Sequence, residues 1–422
     1  MSTRAAHRQR GAATLVVVMV LFLIMAMMAA YANRNLIFEQ RIASNYYRSG
    51  IALETAEAGI DWALGKLNGG SIDALCVADG AAATSFRDRY LAIGADHTIT
   101  TRLNRLTPIA GCIDTAAQGL VCQCSANGVV AAPAVPAATQ FQPMFGVALR
   151  NVNRPGVVRV QVTACTSTLA ACSPALQANA TAAGLARSVV TVDFALLSAL
   201  KVPPAAPLTV RQSVDLGAPG LGLHNAETST HGLLLQSGGA YTGQTGRSTT
   251  LPGSPVRSAL ISADSSLATA NPEQMFAKFF GMAPGTYREQ PAIRRVTCPD
   301  DCSAALLDAY QHGARMLWVD GRMNLRSNTV LGSAADPVLV ISDGDAVLEG
   351  PMLISGLLYA RGNASWSNAS GQPANLTGAL LSEGQFAASG QVDLIYQRVV
   401  IDSLRNRSGS FVRVPNSWTD TQ

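Results

Sequence analysis

Charge is scarce in this chain. Charged residues make up 14% of its 422 residues and aromatics 6%. Lysine is nearly absent: Lys66, Lys201 and Lys278 are the only three, so the 31 basic residues are almost all arginine. Against 27 acidic residues they leave a formal charge of +4, too balanced for a protein that binds nucleic acid through its overall charge. No Gly-x4-Gly-Lys-Ser/Thr, His-Glu-x-x-His or Gly-x-Ser-x-Gly pattern occurs, which removes the commonest phosphate-cradling, zinc-protease and serine-hydrolase signatures. The five histidines, His7, His97, His224, His231 and His312, are scattered. No enzyme, cofactor or metal site is expected. Apolar residues, by contrast, reach 48%, enough for a sizeable core. The length suits about three domains of ~150 residues, or one large domain with additions.

Long apolar runs are also rare, and the single one is at the front. Residues 12–30 (AATLVVVMVLFLIMAMMAA) carry no charge. As a helix they rise about 28 Å, close to the hydrocarbon thickness of a bilayer. Arg4, Arg8 and Arg10 precede them, so the leader stays in the cytoplasm and the rest lies outside. A cleaved secretory signal is the alternative, since Ala30-Tyr31-Ala32 fits an A-x-A site. The run is long for a signal core, and helical spacing continues beyond it. Leu36, Ile37, Ile42, Ile51, Leu53, Ala56, Ile60, Ala63, Leu64 and Leu67 recur on one side, with Glu39, Glu54, Glu57 and Asp61 interspersed. Asn68-Gly69-Gly70 stops the pattern. The spacing predicts one helix about 55 residues long, its first half suited to lipid and its second to a globular partner.

On these residues the chain resembles the type IV pilins. RQRGAATLVV at residues 8–17 is similar to a prepilin leader followed by a mature pilin start. ALETAEAG at residues 52–59 resembles the signature of PilX-type minor pilins. MFAKFFGM at residues 275–282 and VPNSW at residues 414–418 also look like larger members of that group. The resemblance implies cleavage between Gly11 and Ala12 by a prepilin peptidase, methylation of the new amino group, and service in pilus assembly. The implied partners are other minor pilins, major pilin subunits and a large tip adhesin, with inner-membrane lipid before assembly. Major pilins carry Glu at the fifth mature position, thought to pair with a neighbour's terminal amine; here that position is Val16. A carboxylate inside a bilayer costs ~2.5–3.5 kcal/mol or more unless paired. A subunit without it cannot offer that pairing to the subunit ahead, which places it at the tip of the fibre. The K-type minor pseudopilins of type II secretion are similar in lacking the Glu. Three roles therefore stay open: assembly factor in a priming or tip complex, tip adhesin, and pseudopilin.

The fold class expected is α+β. A leader (1–11), a membrane segment (12–30) and its amphipathic continuation (31–70) lead into a pilin-like head with a small antiparallel sheet (71–200). KVPPAAP at residues 201–207 reads as a linker. The remainder, 208–422, reads as a β-rich repeat domain with inserted helices. The eight cysteines all follow the membrane segment and read as disulfides of an oxidising compartment. Cys165–Cys172 and Cys298–Cys302 would close local loops. Cys76, Cys112, Cys122 and Cys124 would pair among themselves. A metal reading of Cys122-Gln123-Cys124 lacks the two-plus-two spacing of a zinc site.

Four segments of the last domain align without gaps around Gly321, Gly344, Gly362 and Gly384. Each has apolar residues, a charged residue, Gly, and a polar residue. The period of about 20 residues is that of stacked units, each a strand, a glycine turn and a second short strand. An irregular parallel β-solenoid is expected; antiparallel hairpins with incidental turns are the alternative. Asp343-Gly344-Asp345 is a weak calcium motif without the remaining carboxylates of an EF-hand loop.

Overall fold

The computed structural model describes residues 12–80, 84–103, 109–115, 119–124, 143–166, 186–326 and 328–421. Gly11, Cys172 and residues 131–138, which carry Pro133 and Pro136, lie outside the described residues.

A single helix, Ala12–Asn68, runs 57 residues through the membrane segment and its continuation. Its buried positions are Ala52, Ala56, Ile60, Ala63 and Leu67, a stripe at helical spacing. The stripe packs on a seven-stranded sheet. The central strands of that sheet, Met144–Asn151, Val157–Cys165 and Arg187–Ser198, pair antiparallel in the order of the chain. Small residues let the helix approach closely: a Cβ at Gly59 would lie 2.6 Å from Val162 Cγ1 and 2.9 Å from Phe145 Cδ2. Bridges Cys76–Cys124 and Cys112–Cys122 fasten the loop after the helix to the sheet edge, and Cys298–Cys302 closes a tight loop further on. Cys165 is also disulfide-bonded.

The rest of the chain is dominated by strands paired in parallel. The repeats occupy equivalent places: Leu317 pairs with Val340, Val340 with Leu358, Leu358 with Leu380, and Leu380 with Leu208. The first strands of the units form one face and the second strands, such as Ala346–Glu349, Ala364–Asn368 and Phe386–Gly390, form another. Between the faces lies an apolar core that includes Leu317, Val340, Leu358, Leu380, Phe386 and Trp366. The other side of the first face is covered by helices, so Trp318, Ile341, Tyr359 and Leu381 are buried there against Phe276, Phe280 and Tyr287. Burial on both sides explains why these strands read as continuous apolar runs.

The path through the stack is not sequential. Strand Leu208–Val210 enters beside Asn375–Ser382, in mid-stack, and Leu235–Ser237 and Leu260–Ile261 extend it outward. The chain then crosses to the opposite end, at Ile293–Val296, and returns unit by unit. The crossing segment carries the helix Pro272–Phe280, closed by an Asn271–Gln274 capping box and stopped by Gly281.

Several expectations need correction. Of the four repeat glycines, only Gly321 has a positive φ (86°). The other three are small because adjacent turns touch: a Cβ on Gly344 would lie 3.2 Å from the Gly321 carbonyl carbon, and one on Gly384 2.9 Å from that of Gly362. The KVPPAAP segment is packed in rather than a free linker. Lys201 N–H donates to Phe279 O, and Pro204 O accepts from the buried Tyr396 hydroxyl. The C-terminus also leaves the repeat region. Gly409–Arg413 and Thr419–Thr421 pair antiparallel with Arg187–Ser198, so the head is completed by the end of the chain.

Candidate functional site

The long helix has two regimes. From residue 13 to residue 47 every described side chain is exposed, a projecting rod of roughly 50 Å. Val16 is 59% exposed, among Leu15, Val17, Phe22 and Ile24. Leu36, Ile37 and Ile42, on the amphipathic continuation, are also exposed, because packing begins only near Ile51. Glu39, Glu54 and Glu57 are exposed, whereas Ala56 is fully buried against the head. Residues 13–30 of the rod are apolar all round, a surface built for lipid or for other helices, not for water.

The base of the rod is anchored in three ways. Asp61 pairs with Arg413 of the returning C-terminal strand. The Lys66 ammonium reaches Cys76 O at 2.5 Å and lies over the Trp62 ring; burial lowers its pKa and Asp73 opposes that fall. Asn68 acts as a strand neighbour. Its Oδ1 accepts from Phe411 N–H at 2.7 Å and its Nδ2 donates to Phe411 O at 2.9 Å.

Residues 10–61 match the family model described as PilX N-terminal. The projecting helix is thus similar to the N-terminal segment of PilX-type proteins, over 52 of the 422 residues. No curated protein matches the chain. A solved structure similar to it is the competence-associated pilin ComZ from Thermus thermophilus, at 10% identity and a TM-score of 0.24, covering 90% of this chain and 97% of that one.

Other residues weighed for chemistry are already engaged. Asp343 pairs with Arg361 and Arg288, and Asp345 Oδ1 accepts from Asn363 N–H at 2.7 Å. His224 lies between Thr249 Oγ1 at 2.8 Å and Asp393 Oδ1 at 3.1 Å, while Arg247 holds Asp393 at 2.6 Å. The exposed rod within the matched segment is the candidate functional surface among the described residues.

The repeat units also carry a ladder of alternating charge. Asp343, Arg361, Glu383 and Arg211 each follow equivalent paired residues, Ser342, Ala360, Ser382 and Val210. Like charges so stacked would lie ~4.8 Å apart and repel; alternation turns repulsion into pairing. Glu383 is the buried member. Tyr359 donates to its Oε1 at 2.8 Å, Arg361 Nε lies 3.9 Å away, and burial pushes its pKa up to about 7.

Proposed function

We propose that the protein is a minor pilin that acts in pilus assembly within a priming or tip complex. Supporting this is Val16, an apolar residue where the pilin resemblance implies a carboxylate. A subunit that cannot offer that carboxylate to the one ahead belongs where nothing lies ahead. The rod is stored in the inner membrane, is freed at Ala12 by prepilin peptidase, and leaves lipid for the helical core of the fibre. The stack of parallel strands, which we read as an irregular β-solenoid, adds bulk that repeated packing along a thin fibre would not accommodate. Partners are other minor pilins and major pilin, met through the exposed side of residues 13–47.

Deletion of the gene tests this reading. Loss of surface pili, restored by the wild-type chain, supports an assembly role. Normal pili with lost attachment replaces it with an adhesin role. Pili and attachment that are both intact, with blocked secretion, point to a pseudopilin.

A further inference from the structure

Where the head meets the strand stack, a cleft of about 440 Å³ opens between the end of the long helix, the short helix Phe86–Tyr90 and the helix Ser303–Gln311. This is within the size range of small-molecule sites. Its walls include Arg87, Arg294, Arg315 and His312 against a single carboxylate, Asp308. Glycines 69, 70, 313 and 409 keep the remaining wall free of side chains.

Arg87 is the anomaly. Its side chain is only 15% exposed, yet its nearest carboxylate, that of Asp88, is 3.9 Å away and itself 62% exposed. Nη1 donates to Gly409 O at a long 3.2 Å. Among the described residues, Nε and Nη2 have no acceptor within hydrogen-bond distance. Neither nitrogen is sealed from solvent, so this edge of the guanidinium is open to the cleft. Its neighbour is instead engaged: Arg315 Nε donates to Asp336 at 2.5 Å, Nη1 donates to Tyr310 O at 2.8 Å, and the group stacks on the Tyr310 ring. Burial, opposed by Asp88 and reinforced by Arg315, pulls the Arg87 pKa down. Arg294, on the rim, is exposed and has no carboxylate partner among the described residues.

We propose that this cleft is a binding site for a small, multiply charged oxyanion, a polycarboxylate or polyphosphate, held by Arg87 with Arg294 at the rim. The planar fork of Arg87 suits two oxygens of one carboxylate or phosphate. The inference rests on these residues alone and is independent of the pilus role.

The test is calorimetric titration of the full-length chain in detergent micelles with citrate and with pyrophosphate, using glycerol as an uncharged control. The expected result is saturable binding of at least one anion and none of glycerol, weakened by added salt. Arg87→Gln should reduce affinity at least about 10-fold. Arg294→Gln, an exposed change that spares the fold, should reduce it by a smaller factor. No saturable binding of either anion, or wild-type affinity in Arg87→Gln, would each overturn the proposal.

Discussion

Replacing Glu383 with Gln should make this protein more stable above neutral pH and leave it unchanged in acid. Glu383 is 2% exposed and sits in the charge ladder of the strand stack. Its ordinary pKa of 4.5 is pushed up to about 7 by burial, which outweighs the Tyr359 hydrogen bond and the attraction of Arg361 and Arg211. The sign follows from linkage. A folded pKa above the unfolded one means that the protonated form favours folding. The stabilising contribution is fully present below pH 4.5 and is lost as pH rises through about 7. The gap between the two values corresponds to about 3 kcal/mol. Glutamine keeps the shape and can accept from Tyr359, yet carries no charge to desolvate. Urea denaturation of both proteins at intervals from pH 4.5 to pH 8.5, with the bridges intact, reads the effect. The difference between them should be near zero at the acid end and approach about 3 kcal/mol in favour of Gln at the alkaline end. A variant less stable than wild type at pH 8 would refute the reasoning. Glu383 would then be an ionised partner of Arg361 whose pairing outweighs its burial.

Three further outcomes follow from packing. Gly378→Ala places a Cβ 1.8 Å from the Gly356 carbonyl oxygen at a φ of +136°, so thermal unfolding should show a loss of about 3 kcal/mol or more, or no soluble protein. Asn68→Ala strands both backbone groups of Phe411 and should cost about 2 kcal/mol, with faster proteolysis of residues 409–421 as the readout. Gly59→Leu drives a side chain into Val162 and Phe145 and should destabilise the head by about 1–3 kcal/mol, net of a helix-propensity gain of up to ~1 kcal/mol, as measured by denaturation.

Local signals were legible where a short pattern decides the structure. The helix stops at Asn68, at the Asn-Gly-Gly that ends its periodicity, and the gapless repeat alignment is the parallel register of the strands. Phe276, Phe279 and Phe280 recur at helical spacing and are core residues. Long-range choices were not legible. Nothing in residues 409–421 says that they complete the head sheet, because an edge strand is selected by its neighbour's free backbone groups. The mid-stack entry at Leu208 is likewise invisible, since each unit exposes the same apolar face to either neighbour. Ile37 and Ile42 keep the helical spacing of the buried stripe yet are exposed, because periodicity gives a face without saying what covers it. The cleft around Arg87 gathers residues more than 300 positions apart, so no window of sequence contains it.

The central claim is that the apolar rod survives export as part of the working molecule. Mass spectrometry of the N-terminal peptide, from the membrane fraction and from sheared fibres, tests it most directly. The expected chain begins at Ala12 with a methylated amino group. A chain that begins at Asn33, free of the membrane, would contradict it.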